Sequence, residues 1–182
     1  LNEEGVGLAL ENKETHLGSI LPKMNMGWNL GFGYKGINLG MTFTGRFGGI
    51  VLSETQSVLN AAGVSKISAD VRDAGGVPIN QAKIDVRNYF QTIQTASVYY
   101  TYSATNVRLG ELSLSYTLPK KWFANKLGMT VGLVGKNLWM IYCKAPFDPE
   151  LTTSAASNFY QGFDAYMLPS TRNFGFNVKF QF

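Results

Sequence analysis

One cysteine and one histidine are all that these 182 residues offer to thiol or imidazole chemistry. Cys143 can form no internal disulfide and no cysteine-based metal site, and His16 has no second imidazole for a metal or a catalytic triad. Charge is also scarce. Only 15% of residues are charged, against roughly a quarter in an ordinary soluble domain. The net charge of +4 is spread along the chain, with a small cluster only at Lys120 and Lys121. No stripe of Lys and Arg is interleaved with stacking aromatics, so there is no nucleic-acid footprint. No apolar run approaches the roughly 18 residues of a membrane-spanning helix. That excludes a helical membrane protein and leaves a barrel open, because half of every barrel strand is polar. Leu1 is followed by no charged n-region and no apolar h-region. The expectation is therefore either a protein that is not exported or a chain that does not start at its natural beginning. Acid-base chemistry has one conceivable seat, Asp148 and Glu150 in "FDPE". Pro146 and Pro149 make that a rigid loop, and no acid/base partner is identifiable. The reading is of a non-enzyme without metal or cofactor.

What the sequence does have is aromatic residues (13%), 20 glycines and an alternation of period two. "KMNMGWNLGFGY" places Met24, Met26, Trp28, Leu30, Phe32 and Tyr34 on one parity. Asn25, Gly27, Asn29, Gly31 and Gly33 fall on the other. A helix would scatter these residues round its circumference; a strand sorts them onto two faces. Lys35-Gly36 reads as a tight turn. Ile37, Leu39, Met41 and Phe43 then continue the apolar parity, which predicts a hairpin. Leu112, Leu114, Tyr116 and Leu118 alternate with Ser113, Ser115 and Thr117. Val107 and Leu109 sit on the opposite parity, which predicts a bulge or a change of surroundings near Gly110. Leu127, Met129, Val131 and Leu133 begin a fourth strand that runs on to Trp139 or Ile141. The fifth is "RNFGFNVKFQF", from Arg172, with Phe174, Phe176, Val178, Phe180 and Phe182 on its apolar side. Taken alone, that strand reads first as the face of a soluble core, with a membrane wall as the alternative.

The connections separate those two readings. Two are short, at residues 35–36 and about 119–126. Two are long, at about 48–105 and 142–171, and they fall at the opposite end. Outer-membrane barrels have this asymmetry, with short periplasmic turns and long outer loops. It predicts a periplasmic C-terminus and an outer loop before Met24. The polar parity is largely Gly, Asn, Ser and Thr, where a soluble sandwich would show charge. Phe32, Tyr34, Tyr116, Trp122, Phe123, Phe180 and Phe182 gather toward the turn side. Trp139, Tyr142 and Phe174 gather toward the other, as in two interfacial girdles. Within the first long connection, Ser53 followed by Gln56 is a capping box and Gly63 a stop. Together they predict a short helix over about 54–62. "DAGGVPI" reads as a turn. "NYFQTIQTASVYYTYSATN" is rich in Tyr and amide side chains, a surface suited to stacking and hydrogen bonding with sugars or to ordinary loop packing. Tyr99, Tyr100, Tyr102, Tyr160 and Phe163 are the candidate substrate-binding residues.

The chain resembles the C-terminal end of a SusC-type TonB-dependent outer-membrane transporter, a Bacteroidetes family that imports glycans. The similarity lies in "LGSILPKMNMG" (17–27), "VRLGELSLSYTLPKKW" (107–122), "GLVGKNLWMI" (132–141), "FDPE" (147–150) and "YQGFDAYMLPSTRNFGFNVKF" (160–180). "GVSKISADVRDAGGV" (63–77) resembles a segment of the long outer loop. What the resemblance implies is an all-β chain, about five C-terminal strands of a 22-stranded plugged barrel, with residues 1–182 as one part of it. The plug, the TonB-binding segment and the signal peptide would lie outside this chain. It implies import of oligosaccharides, less readily peptides, across the outer membrane. A SusD-like surface lipoprotein and the TonB complex would be partners, with outer-membrane lipid around the wall. It also implies that Phe174, Phe176, Val178, Phe180 and Phe182 form the signal read by the barrel-assembly machinery. A passive porin or adhesin barrel, and a soluble carbohydrate-binding β-sandwich, are the competing expectations.

Overall fold

A computed structural model describes residues 16–79, 82–123, 127–151 and 161–181. In chain order the elements are β1 (Met24–Tyr34), β2 (Ile37–Phe47), β3 (Ile50–Ser53), α1 (Glu54–Ala61), α2 (Lys66–Asp73), β4 (Val77–Ile79) and β5 (Ala82–Ile84). They continue with α3 (Val86–Ile93), β6 (Thr101–Ser103), β7 (Asn106–Leu118), a 3-10 turn (Lys120–Phe123), β8 (Gly128–Cys143), β9 (Phe163–Asp164) and β10 (Asn173–Gln181). They divide into two units.

The first unit, within Pro22–Gly48, Ala104–Pro149 and Pro169–Phe182, is a five-stranded antiparallel sheet in the order β1-β2-β7-β8-β10. Period two dictates its faces, because directly paired residues project to the same side. Trp28 pairs with Phe43, Leu30 with Met41 and Phe32 with Leu39. Leu39 pairs with Leu114, Leu114 with Leu133, and Leu133 with Phe176. One apolar band therefore crosses all five strands. Gly, Asn, Ser and Thr share the opposite face. The β1–β2 turn is Lys35 (φ 46°) and Gly36 (φ 89°), both left-handed, which is the two-residue turn whose twist matches a hairpin. The parity change read near Gly110 is a bulge. Thr42 pairs with Glu111 and Phe43 with Leu109, so Gly110 is skipped and Val107 and Leu109 rejoin the apolar face. The fourth strand extends beyond the expected end, to Cys143.

Within this unit the apolar face is largely open. Trp28 is 50%, Leu133 57% and Phe176 66% exposed, and every residue of β10 is exposed. The largest of the fully buried apolar side chains, Val51, Phe90 and Tyr100, belong to the second unit.

That unit, within Leu1–Leu21, Gly49–Ser103 and Glu150–Leu168, holds more structure than the alternation disclosed. The capping box predicted one helix, and α1 forms there, with the Ser53 side chain accepting from the Gln56 N–H at 3.0 Å. Helices α2 and α3 also form, capped by Ser65 and Asp85 through the same geometry. Their eight-residue spans are too short for a period-3.6 pattern to stand out. "DAGGVPI" divides between the end of α2, a turn at Gly75 and Gly76, and β4, which pairs with β5. A small sheet of order β6-β3-β9 completes the unit, with β3 antiparallel to β6 and parallel to β9.

Candidate functional site

The second unit gathers chain from both long connections. Leu52 donates its N–H to the Gly162 carbonyl at 2.9 Å, which begins the parallel β3–β9 pairing. The Ser53 hydroxyl donates to Asp164 Oδ2 at 2.5 Å while its oxygen caps α1, and both side chains are buried. The Tyr166 N–H donates to Thr55 Oγ1 at 2.7 Å. The start of α1 thus holds residues 162–166 in place. The Asp164 carboxylate also sits at the positive end of that short helix.

Beside this junction lies a cleft of about 310 Å³, lined by Glu54, Ser57, Gln94, Thr95, Ser97 and Phe163, with Tyr100 in its wall. Its chemistry is hydroxyl, amide and carboxylate around an aromatic edge. That set suits a neutral, hydroxyl-rich ligand that both stacks and exchanges hydrogen bonds. A larger cleft, about 450 Å³, lies elsewhere in the same unit, where the end of α1 meets Arg72 of α2 and the start of α3. It contains none of the predicted aromatics.

The predicted residues separate on inspection. Phe163 is half-buried in β9 and lines the smaller cleft. Tyr99 is 44% exposed and sets its ring edge-on against Tyr100, centroids 5.0 Å apart. Tyr102 is half-buried in β6, opposite Val51. Tyr100 must be corrected. At 1% exposure its ring is core, and it cannot offer a face for stacking. Burial pushes its hydroxyl up to about 12. The Asn60 amide beside it works in the other direction, and Tyr99, Tyr102 and Tyr89 add to the rise. Burial raises Tyr99 and Tyr102 as well. All three hydroxyls therefore stay neutral donors at physiological pH. Tyr160 lies outside the described residues. The polar lining residues Glu54 and Ser57 were missed. The capping box that marks Ser53 and Gln56 advertises a helix start, and nothing in it says that the same turn borders a cleft.

Among the described residues, no three His, Cys, Asp or Glu side chains come together to hold a metal ion. No helix there is long and apolar enough to cross a membrane, which has no bearing on strands. His16 is exposed.

The first unit offers a surface instead of a cavity. Phe174, Phe176, Val178 and Phe180 stand on the apolar face, at 78%, 66%, 36% and 53% exposure. Phe182 lies outside the described residues. At one end of the sheet the strands are joined by the turn at 35–36 and the connection after Leu118. At the other end Arg46 pairs with Asn106 and Asn106 with Cys143, and there the long connections leave. One polar face of small residues, one unbroken apolar face and this asymmetry define a stretch of outer-membrane β-barrel wall.

The comparisons with known proteins agree. A TonB-dependent receptor P3 of Formosa agariphila is 31% identical over 173 residues, which are 90% of this chain and 17% of that protein. A structure of the RagAB peptide importer in its closed-closed state matches with a TM-score of 0.64 at 23% identity, over 90% of this chain and 17% of its own. A second structure, of the RagAB peptide transporter, matches with a TM-score of 0.53 at 25% identity, over 68% of this chain and 14% of its own. No protein-family model matches. Nine-tenths of the chain is thus similar to a stretch of a TonB-dependent receptor, in line with the SusC-type resemblance in its sequence, and the chain spans 17% of the length of that curated relative.

Proposed function

We propose that these residues form one stretch of wall, with two outer connections, in an active outer-membrane importer of oligosaccharides. The observation that carries this is the 31% identity along 90% of the chain to a TonB-dependent receptor. The register that puts one apolar band across five strands supports it. Strands β1 and β10 each pair on one side only, so the sheet needs further strands to satisfy its edges. In this reading the rest of the barrel, a plug and the TonB-binding segment belong to chain outside these 182 residues. The C-terminal side of β10 then faces the periplasm. The apolar face meets lipid, and Phe174, Phe176, Val178, Phe180 and Phe182 address the chain to the barrel-assembly machinery. A SusD-like lipoprotein works on the outer side. Tyr99, Tyr102 and Phe163 are the residues available for stacking on sugar, with Ser57, Gln94 and Thr95 as hydrogen-bonding neighbours.

The test is uptake of labelled oligosaccharides by cells carrying the complete protein, against cells lacking it and cells with TonB disabled. Uptake that depends on the protein but persists without TonB would leave a passive porin. A second reading, peptide cargo, draws on the structural neighbour described as a peptide transporter. Labelled peptides entering in place of sugars would select it.

A further inference from the structure

At the turn end of the five-stranded sheet, the polar face carries a cavity of about 90 Å³ whose polar lining is Thr117, Lys120, Thr130, Lys179 and Gln181, with Gly128, Leu118 and Met129 completing it. Thr117 pairs with Thr130, Thr130 with Lys179, and Gly128 with Gln181. These residues therefore share the face opposite Met129, Val131 and Phe180. The two threonine hydroxyls are 3.2 Å apart. The Lys120 stem lies over Gly128, where an added Cβ would come 3.7 Å from Lys120 Cε. Two lysines, two threonines and a glutamine thus line a space of oxyanion size. No Asp or Glu in this part of the sequence answers them. Residues 22–48 and 112–147 contain no acidic residue, and neither do residues 176–181.

We infer that this cavity is an oxyanion site, filled by the carboxylate of an Asp or Glu on polypeptide that packs against the polar face. It rests on the reading of this sheet as barrel wall. The cavity's position decides between carboxylate and lipid phosphate, because lipid would meet the opposite, apolar face. A second observation on the same face points to polypeptide. Gly27 and Gly31 lie in the middle of β1, yet a Cβ added at either would meet nothing within 4 Å. Packing within this chain does not demand glycine there, and glycine weakens a strand interior. Close approach of another backbone to that face accounts for both positions. Two lysines reaching one carboxylate through flexible stems would hold such a segment as point charges, with Thr117 and Thr130 donating the shorter hydrogen bonds.

Carbodiimide coupling of the complete protein in outer-membrane preparations tests this, since that reagent joins a lysine amine to a carboxylate already in contact with it. Peptide mass mapping should find Lys120 or Lys179 amide-linked to an Asp or Glu outside residues 1–182. Lys35, at the β1–β2 turn over the Tyr34 ring, should remain unlinked. Replacing Lys120 and Lys179 by Gln should lower the urea concentration at which the linked segment becomes protease-sensitive, and replacing both by Arg should restore it. Both lysines recovered unlinked, or linked only to a carboxylate within residues 1–182, would overturn the site. So would a double Gln variant that releases the segment at the parent's urea concentration. The heat-dependent gel shift of a folded barrel is read on the same samples. Its absence in the parent protein would overturn the barrel reading and the site together, whereas an intact shift with unlinked lysines overturns the site alone.

Discussion

Replacing Asp148 by Ala should free the root of the second long connection. In the first unit Asp148 receives Arg108 as a fork, Nη2 to Oδ1 at 2.7 Å and Nη1 to Oδ2 at 3.0 Å. The two side chains are 10% and 8% exposed. Arg108 also donates Nε and Nη2 to Asn106 Oδ1, both at 3.3 Å, and Asn106 in turn donates to the Ala104 carbonyl at 3.1 Å. Removing the carboxylate leaves a guanidinium desolvated, with the neutral Asn106 acceptor still in reach. Breaking a buried pair from one side costs about 3–5 kcal/mol, and the surviving Asn106 contacts place this case near the lower figure. At about 1.4 kcal/mol per tenfold, the population of locally opened loop should rise roughly 100-fold. Limited proteolysis within residues 144–151 of the complete protein reads that population when opening is fast relative to cleavage. A double replacement, Arg108→Met with Asp148→Leu, removes both charges and should be cut more slowly than Asp148→Ala, because nothing is left unpaired. The Glu111–Lys136 pair is a control. At 3.7 Å and 43% and 61% side-chain exposure it should contribute under about 1 kcal/mol. Asp148→Ala cut within twofold of the parent rate, or a double variant cut as fast as the single, would refute the reasoning.

Ser53→Ala removes the cap of α1 and the partner of buried Asp164 together. The cap alone costs about 1 kcal/mol and the stranded carboxylate about 1–3 more, so amide exchange at Gln56 should accelerate at least tenfold. Gly36→Ala should impair hairpin closure, because its φ of 89° is left-handed and a Cβ would come 2.8 Å from the Thr117 carbonyl oxygen; folded yield in the membrane measures it. Tyr100 predicts an alkaline weakness in the second unit. Its folded-state pKa of about 12 lies above the ordinary 10, so the stability linked to its proton is complete below pH 10 and is lost as pH rises from 10 toward 12. Protease sensitivity of residues 49–103 should rise across that window while phenolate absorbance lags behind that of exposed tyrosines, and Tyr100→Phe should reduce the rise.

How much of this protein was legible in its residues follows from the length over which each pattern acts. Five strands, their two faces, the Lys35-Gly36 turn and the bulge at Gly110 are written in alternation over nine or more residues, which only a strand satisfies. The scarcity of charge on the polar parity and the unequal connections were equally plain, because lipid and a packed interior act on every residue of a wall. The second unit was legible only where a cap announced itself, at Ser53 and Gln56. Strands of two to four residues and helices of eight carry too few periods to show. Whether a tyrosine stacks on a ligand or fills a core depends on what the chain brings back over it. Tyr99 and Tyr100 are neighbours in sequence and opposites in exposure. Arg108 and Asp148, 40 residues apart, meet in a fork that no spacing rule foretells. Thr117, Thr130 and Lys179 come to one cavity because the β7–β8–β10 register aligns them, and the turn after β7 adds Lys120. Local periodicity is set by backbone geometry and is present in the string itself. Burial, pairing and convergence are set by distant segments, so only the folded chain decides them.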